Sequence, residues 1–319
     1  MGNIFALVQR ISANFNHAIH LMKLSSLRSV IMTAVSLSSL QLAHSQTQVT
    51  FPREGQSGDT EAIVLPADDA GTYFTIGIVG ADVSSGKAGD QAFTLLAQDA
   101  QSRVTLLKSA TPGTVLKMGS SRSLKPGSPL YRNTKQSGEI CRVVSWEGSF
   151  HEQHLPLYFL RVHYNGVLPS PGQPLFNEAG ELVAIAHQSS KEFGNGTYAL
   201  PIEAVERNIS DYRTHKSLRR CWLGLHLDHI DPIPRIVGLR PESPASEIGL
   251  RKGDILLTIG NQEITTYSSA INAFYYLIPG QKAECRYLRG TQIITAQITP
   301  KAHPGYEAID VEMKKLEKK

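Results

Sequence analysis

The residues of this 319-residue chain that could carry out chemistry lie mainly between Val167 and Gln188, where a proline and glycine turn precedes two short apolar runs. Hydrolysis by a hydroxyl nucleophile also needs a base to take the proton and a carboxylate to fix the tautomer of that base. Ser170 is the only hydroxyl in the turn, and it stands between Pro169 and Pro171. The candidate bases are His151, His154, His163 and His187. The acidic residues that could assist are Asp68, Asp69, Glu152, Glu178 and Glu181, which show no paired spacing and which we interpret as solvated loop charges.

The elements that must position these residues are short β-type runs, separated by Gly, Pro, Asn and Asp turns. Many short strands of this kind favour a β-barrel or sandwich over an alternating α/β fold. Helical spacing indicates helices over Ile202–Tyr212 and Ser268–Leu277. The predicted strands are Tyr73–Val79, Ala92–Ala97, Arg103–Leu107, Val115–Met118, Ile140–Trp146, Leu157–His163, Gly172–Phe176 and Leu182–Ala186, with one more near Glu61–Leu65.

The composition is that of a globular protein, with 41% hydrophobic and 19% charged residues. The net charge is +4, but residues 1–45 hold three basic and no acidic residues, so the rest has 29 basic against 28 acidic residues. This balance gives no support to nucleic-acid binding. No apolar run reaches the ~18 residues of a membrane span.

An export signal is predicted at the N-terminus. Basic Lys23 and Arg28 precede the apolar run Val30–Leu40, and the small-residue pattern at Ala43-His44-Ser45 is typical of a cleavage site. Met22 is a more natural start of such a signal than Met1. Downstream lie Cys141, Cys221 and Cys285, which could form one disulfide and one free thiol or could be buried as small apolar residues.

Four segments of the front half resemble, in order, the trypsin-like serine proteases of the HtrA (Deg) family. The frame Gly172, Pro174-Leu175-Phe176-Asn177 is similar to that family's nucleophile hairpin, Gly-Asn-Ser-Gly-Gly-Pro-Leu-Phe-Asn. The other resembling segments are Phe93–Lys108, Leu116–Gly127 and Thr197–Val205. The resemblance implies a trypsin-like double β-barrel, which we expect to be truncated or degenerate in its first half.

The same resemblance, followed residue by residue, puts other residues at the catalytic positions. The nucleophile position is Pro171, which has neither a hydroxyl nor a backbone N–H. The acid position is Arg103, a donor where an acceptor is needed, and Gln173 replaces a glycine of the oxyanion turn. No His occurs between Ser45 and His151, so the base position is absent. The resemblance therefore implies a scaffold in which all three triad roles are vacant.

The rear half resembles a bacterial PDZ domain through the runs Ser243-Pro244-Ala245, Gly249-Leu250 and Gly253-Asp254-Ile255-Leu256. A turn at Leu223-Gly224-Leu225 can direct successive backbone N–H groups at a peptide carboxylate, with Gly224 supplying the φ freedom. The strand that follows could pair with an extended peptide. The resemblance implies an apolar groove formed by Leu223, Leu225, Leu227, Ala270, Ile271 and Phe274.

We expect no metal and no cofactor. Alternation along a strand puts His226 and Asp228 on one face and His229 on the other, which does not gather three ligands. The expected partners are peptide or protein C-termini and extended segments, with an active protease relative or further copies of the chain as additional candidates. No nucleic acid and no stable membrane span are expected.

The sequence therefore predicts an exported, mainly β, two-domain protein of the periplasm or the secreted space. Its function is predicted to be non-catalytic peptide recognition in a scaffolding or regulatory role. The alternative is an active HtrA-type serine endopeptidase with displaced catalytic residues, in which Ser170 is the nucleophile. The predicted divisions are a leader over 1–45, a flexible arm over 46–71, a protease-homologue domain over 72–212, a linker over 213–220, a PDZ domain over 221–300 and a charged tail over 301–319.

Overall fold

The computed structural model describes residues 46–52, 59–76, 84–150, 153–166, 168–190, 196–231 and 233–304. The predicted leader with Met22, His151 and most of the predicted charged tail lie outside these residues, as does the side chain of His154. Within the described ranges, no helix combines the length and the apolar character needed to cross a membrane.

The first domain begins with a closed six-stranded barrel in the order β1-β2-β3-β6-β5-β4. Its strands are β1 (Thr47–Phe51), β2 (Thr60–Pro66), β3 (Thr72–Ile76), β4 (Ser85–Ala88), β5 (Gln91–Gln98) and β6 (Val104–Lys108). Strand β1 pairs with both β2 and β4 and so closes the barrel. Gly86 permits this closure, because a Cβ there would lie 2.5 Å from the Phe51 ring.

This barrel corrects two expectations. The first half is not truncated, and the described parts of the predicted arm over 46–71 are not loose, because β1 and β2 are paired barrel strands. Their polar residues face outward, while Val49 and Phe51 alternate into the core with Ala62 and Val64 from β2. The period of two is present in the sequence, but these strands are only five and seven residues long and the intervening segment is polar.

A second closed barrel follows in the order β10-β11-β12-β9-β8-β7. Its strands are β7 (Pro129–Tyr131), β8 (Glu139–Phe150), β9 (Gln153–Tyr164), β10 (Pro174–Phe176), β11 (Leu182–Ser190) and β12 (Gly196–Pro201), with a short 3-10 helix at Lys135–Ser137. The predicted strand Val115–Met118 is wrong: only Met118 forms an isolated bridge, with Leu182 of β11. Val115, at the start of the predicted strand, is exposed and pairs with no strand among the described residues.

Helix α1 (Ile202–His215) leaves the second barrel with Pro201 as its N-cap residue and ends in a left-handed Lys216. The C-terminal domain then combines a four-stranded sheet, two strand pairs and two helices around its own core cluster. Its strands are β13 (Cys221–Trp222), β14 (Leu225–Leu227), β15 (Ile236–Leu239), β16 (Ile255–Ile259), β17 (Gln262–Glu263), β18 (Ala283–Arg289), β19 (Gln292–Ile298) and β20 (Lys301–Ala302). Its helices are α2 (Pro244–Glu247) and α3 (Tyr267–Tyr276).

The C-terminal domain extends slightly past the predicted boundary at residue 300. Strand β20 pairs with β13, Cys221 opposite Ala302 and Trp222 opposite Lys301, so the two ends of the domain are joined. Asp254 of the Gly-Asp-Ile-Leu run is 2% exposed and receives hydrogen bonds from Arg289 Nε (2.8 Å) and from Arg251 N (2.8 Å). This carboxylate therefore fixes the turn before β16 to the end of β18.

Candidate functional site

The proline and glycine turn before β10 is a type II turn. The Ser170 carbonyl accepts from the Gln173 N–H at 3.1 Å, and Gly172 has φ +88. Proline at the second position and glycine at the third are what this turn type requires. Two further bonds join it to β11: Gly172 N donates to Ala186 O, and Ala186 N donates to Gln173 O, both at 2.8 Å. The turn is therefore rigidly held, as a catalytic hairpin would be.

The chemistry available in this turn is limited by its prolines. In trypsin-like proteases the oxyanion hole consists of the backbone N–H groups of the nucleophile and of the residue two positions before it. By resemblance these positions are Pro171 and Pro169, neither of which has an N–H. Ser170 is exposed, and its hydroxyl makes no hydrogen bond within the described ranges. The sequence signal for the second missing donor is Pro169, two positions before Pro171.

Arg103 and His187 come from different barrels and lie close enough for their charges to interact. Arg103 occupies the turn between β5 and β6 with φ +60. The His187 ring donates to the Ser102 carbonyl and packs against Phe159, with ring centroids 4.8 Å apart. Burial, and then the positive charge of Arg103, lower the pKa of His187 from 6.5 to about 4.

This environment determines what His187 can do. An imidazole with so low a pKa is neutral near pH 7 and is a weak general base there. Its Nε2 atom is buried and has no hydrogen-bond partner among the residues that the structure describes. His187 is thus a half-buried packing residue of β11. The remaining candidate, His163, is exposed on β9.

The predicted carboxylate-binding loop precedes β14. Gly224 has φ +72, and a Cβ there would lie 2.2 Å from the Cβ of Ser243. The Leu223 carbonyl accepts from Ala245 N (3.0 Å), and the Gly224 carbonyl accepts from Arg240 N (2.7 Å). The loop is therefore fixed through its carbonyl groups, and only glycine fits at its centre.

The N–H groups of this loop take no part in the hydrogen bonds that fix it. Neither Leu223 N nor Gly224 N donates to another group of the described chain. Successive backbone N–H groups without internal acceptors form a nest that can bind an anion. Strand β14 pairs with β15 on one edge, and in the described ranges its other edge has no strand partner. The geometry is therefore compatible with the addition of an extended peptide strand.

Helix α3 presents three faces, as follows from about 100° of rotation per residue. Ala270 and Ala273 face the core of the C-terminal domain and are fully buried. Asn272 faces the second barrel, where its Oδ1 accepts from Tyr158 N of β9 at 2.9 Å. The third face carries Ile271 and Phe274, both half-buried.

The structure brings together most of the predicted groove residues, but in two roles. Leu223, Leu227 and Ala270 are buried members of the core cluster. Leu225 and Phe274 pack against that cluster and keep exposed surface, and Ile271 is half-buried outside it. Among the predicted groove residues, Leu225, Ile271 and Phe274 are therefore the ones that keep apolar surface exposed.

The comparisons with known proteins agree with this architecture. A family model for the PDZ domain matches residues 222–299. A "Probable periplasmic serine endoprotease DegP-like" of Pseudomonas fluorescens is 28% identical over 234 residues, covering 66% of this chain. A protein of the same description from a Marinomonas species is 24% identical and covers 80% of this chain. The chain is an HtrA/DegP-like serine protease homologue with a PDZ domain.

This homologue spans about half the length of the curated relatives it matches, 48% of the Pseudomonas protein and 59% of the Marinomonas protein. Among solved structures, the "HtrA-type protease AlgW with decapeptide" superposes with a TM-score of 0.61 at 17% identity, covering 84% of this chain and 98% of that one. A serine endoprotease from Yersinia pestis gives a TM-score of 0.54 at 19% identity, covering 82% and 95%. These structures confirm the double-barrel and PDZ fold.

A buried polar cluster joins the protease-like domain of this homologue to its PDZ domain. We call it the junction cluster; its members are Asp99, Ser102, Asn208, Asp211, Arg220 and Tyr275. Asp99, in the turn after β5, is 0% exposed and accepts from Tyr275 Oη of α3 at 2.9 Å. Arg220 Nη2 lies 2.6 Å from the same carboxylate, and Arg220 Nη1 lies 3.2 Å from Asp211. Asn208 of α1 accepts from Arg220 Nη2 at 2.6 Å and donates to Tyr275 Oη at 3.0 Å.

The junction cluster revises the interpretation of residues 213–220. They are basic and polar in sequence, which predicts a linker, but α1 continues to His215 and Arg220 is 4% exposed. The guanidinium of Arg220 also lies over the Tyr275 ring, 4.5 Å from its centroid. The last residue of the connection is therefore a structural part of both domains.

All three cysteines are free thiols. Cys141 is buried in the second barrel, and Cys285 is buried in the PDZ core. Burial raises the pKa of each of the three thiols to about 12. The alternative of one disulfide is therefore wrong for this structure, and the apolar interpretation fits Cys141 and Cys285.

Proposed function

We propose that this chain is a non-catalytic serine-protease homologue whose PDZ domain binds the C-terminal or extended segment of a peptide. The observation that carries the proposal is the loop at Leu223 and Gly224, whose N–H groups have no acceptor among the described residues. Beside it, Leu225, Ile271 and Phe274 offer partly exposed apolar surface. A carboxylate at the loop and apolar side chains along the groove would satisfy both features.

The non-catalytic part of the proposal is supported by the turn at residues 169–173. Prolines at 169 and 171 remove the hydroxyl and both backbone donors that acyl transfer would use there. His187, the histidine closest to the turn in the pairing of β10 with β11, has a pKa of about 4. We therefore propose that the double barrel is kept as a scaffold for the PDZ domain.

We further propose that the protein works in the cell envelope, scaffolding or regulating a client or an active protease relative, alone or as an oligomer. Two DegP-like relatives are described as periplasmic. The apolar run before Ala43-His44-Ser45 supports export of this chain as well. Cell fractionation of the tagged full-length chain tests this location, and retention in the cytosolic fraction would contradict it.

Peptide binding is tested by titrating the full chain with a library of carboxyl-terminated peptides and with their C-terminally amidated forms. The free carboxylate should bind at least about tenfold more tightly, because the amide lacks the charge that the N–H nest would bind. Ile271→Glu should weaken binding by at least about tenfold, since it puts a charge on the groove face of α3. Ile293→Glu on β19, where the side chain is 58% exposed, is the matched control. Absence of saturable binding by any peptide would remove the recognition proposal.

The competing function, an active endopeptidase, is tested separately. Purified protein is incubated with casein and with fluorogenic peptides, and Ser170→Ala serves as the matched variant. We expect no cleavage above background from either protein. Cleavage by the parent that is lost in Ser170→Ala would establish a displaced nucleophile and contradict the non-catalytic proposal, whatever the outcome of the peptide titration.

A further inference from the structure

A cavity of about 340 Å³ opens between the second barrel and the PDZ domain. Strands β8 and β9 supply Trp146 and Tyr158, helix α3 supplies Asn272 and Tyr276, and Gln262 comes from β17. The volume lies in the range of about 300–1,000 Å³ that small-molecule sites occupy. Asn272 and Tyr276 lie on the barrel side of α3, away from the groove face, so this cavity is distinct from the peptide groove.

Three aromatic rings line the cavity, and two of them are fixed by their surroundings. Trp146 Nε1 donates to the Leu124 carbonyl at 3.1 Å, so the polar edge of the indole is already satisfied. The Tyr158 ring packs directly against the backbone of β8 at Gly148. A Cβ at this position would lie only 2.2 Å from a Tyr158 ring carbon, so no side chain fits between the two. What these rings offer a ligand is therefore mainly apolar surface.

Polar groups stand between the rings. Asn272 Oδ1 is used by Tyr158 N, which leaves its Nδ2 group as a donor. The Gln262 side chain and the Tyr276 hydroxyl make no hydrogen bond within the described residues. Burial raises the pKa of Tyr276, so its hydroxyl stays protonated and can both donate and accept.

The charges at the cavity are already matched within the protein. Glu203 accepts from Ser120 Oγ at 2.7 Å and from Ser121 N at 2.9 Å, as well as from the Ser121 hydroxyl. Arg122 Nε lies 3.9 Å from the same carboxylate. A cationic ligand would have to displace a partner of Glu203, and the charge of Arg122, whose side chain is 62% exposed, is screened by water. A neutral ligand would leave both groups as they are.

We propose that this cavity binds a neutral saccharide of one or two pyranose units. A pyranose has C–H groups that can stack on aromatic rings and hydroxyls around its edge that can pair with carboxamide and phenol groups. An aromatic peptide side chain could stack on the aromatic rings of the cavity. It would leave the carboxamides of Gln262 and Asn272 without hydrogen-bond partners, which costs binding energy when they are desolvated. The combination of rings and carboxamides therefore favours the saccharide.

The test is a titration of the full chain with maltose and with N,N′-diacetylchitobiose, followed by tryptophan fluorescence. The chain has two tryptophans; Trp222→Phe is used as background, so that the signal reports Trp146. We expect a saturable change with at least one of the sugars. Gln262→Ala and Tyr276→Phe should each weaken it about fivefold to tenfold, the effect of one lost hydrogen bond.

Gln297→Ala on the exposed face of β19 is the matched control and should leave the affinity unchanged. Circular dichroism of each variant confirms that the fold is retained. The proposal is overturned if neither sugar gives a saturable change, or if binding is the same in Gln262→Ala, Tyr276→Phe and the parent. Saturable binding of N-acetylphenylalaninamide, which does not emit in the tryptophan band, without binding of either sugar would assign the cavity to an aromatic side chain and likewise overturn the proposal.

Discussion

The replacement Asp99→Asn tests whether the junction cluster stabilises the two-domain arrangement. The change keeps the shape of the side chain and removes its charge at a site that is 0% exposed. Asp99 now accepts from Ser102, from Tyr275 Oη at 2.9 Å and from Arg220 Nη2 at 2.6 Å. An asparagine side chain has one acceptor oxygen where the carboxylate has two. Its NH₂ group would stand where the second oxygen now accepts, and would face a hydrogen-bond donor that it cannot pair with.

The magnitude follows from the burial of Arg220. Removing one partner of a buried ion pair costs about 3–5 kcal/mol, because the remaining charge is left uncompensated in a low dielectric. Arg220 keeps Asp211 at 3.2 Å and Asn208 at 2.6 Å. We therefore expect Asp99→Asn to lower the free energy of unfolding by about 3 kcal/mol, the lower end of that range.

The assay is urea unfolding monitored by tryptophan fluorescence, with Asp90→Asn as control. Asp90 is an exposed carboxylate in the same barrel, in the turn between β4 and β5. The double variant Asp99→Asn/Arg220→Met should be more stable than the sum of the single effects predicts, by about 1–3 kcal/mol. A destabilisation of Asp99→Asn below about 1 kcal/mol, equal to that of the control, would refute the argument that this carboxylate compensates a buried charge.

Three further predictions follow from burial and from backbone conformation. The pKa of His187 is about 4 in the folded protein and 6.5 in the unfolded chain. Between these two pH values the folded state therefore binds fewer protons than the unfolded state. The free energy of unfolding should therefore fall by about 2 kcal/mol when the pH is lowered from about 7 to about 5. His187→Gln, compared with the parent by urea unfolding at both pH values, should lose this part of the pH dependence. An unchanged pH profile in the variant would contradict the low pKa of His187. Cys141 and Cys285 should react with iodoacetamide at about pH 8 only after unfolding, because their thiols are buried with a pKa of about 12; mass spectrometry of the native protein would reveal a contrary modification. Gly224→Ala should lower the free energy of unfolding in urea by at least about 2 kcal/mol, because alanine is strained at positive φ and its Cβ would collide with Ser243. Gly249→Ala, the control, also has positive φ but has open space around a Cβ, and should lower it by less.

The contact at Gly224 also decides which variant can test the peptide groove. Gly224→Asp is a natural choice to block a carboxylate-binding loop while leaving the fold intact. The structure leaves 2.2 Å between a Cβ at Gly224 and the Cβ of Ser243, so any side chain disturbs the loop itself. Ile271→Glu is the cleaner variant because Ile271 is half-buried and lies outside the PDZ core cluster.

The sequence alone predicted the elements that local patterns encode. Turn residues and period-two runs gave most strands from Tyr73 to Ala186 to within a few residues, and helical spacing gave α1 and α3. The Ser-Pro-Ala and Gly-Asp-Ile-Leu runs predicted the PDZ domain, which the family model confirms. These signals need only neighbouring residues, because turns and helices are fixed by backbone conformation and hydrogen bonds close in sequence.

The tertiary structure decided the features that depend on distant partners. Strand β1 became a barrel strand only through its pairing with β2 and β4. Arg220 was buried only because Asp99 and Tyr275 meet it from two domains. The composition of residues 213–220 does not indicate these partners. A guanidinium is buried only when carboxylates far away in sequence come close to it, and it otherwise stays in water. The sequence thus determined the local elements and the residue types of the turn at 169–173. The three-dimensional contacts decided which charged residues became part of the core.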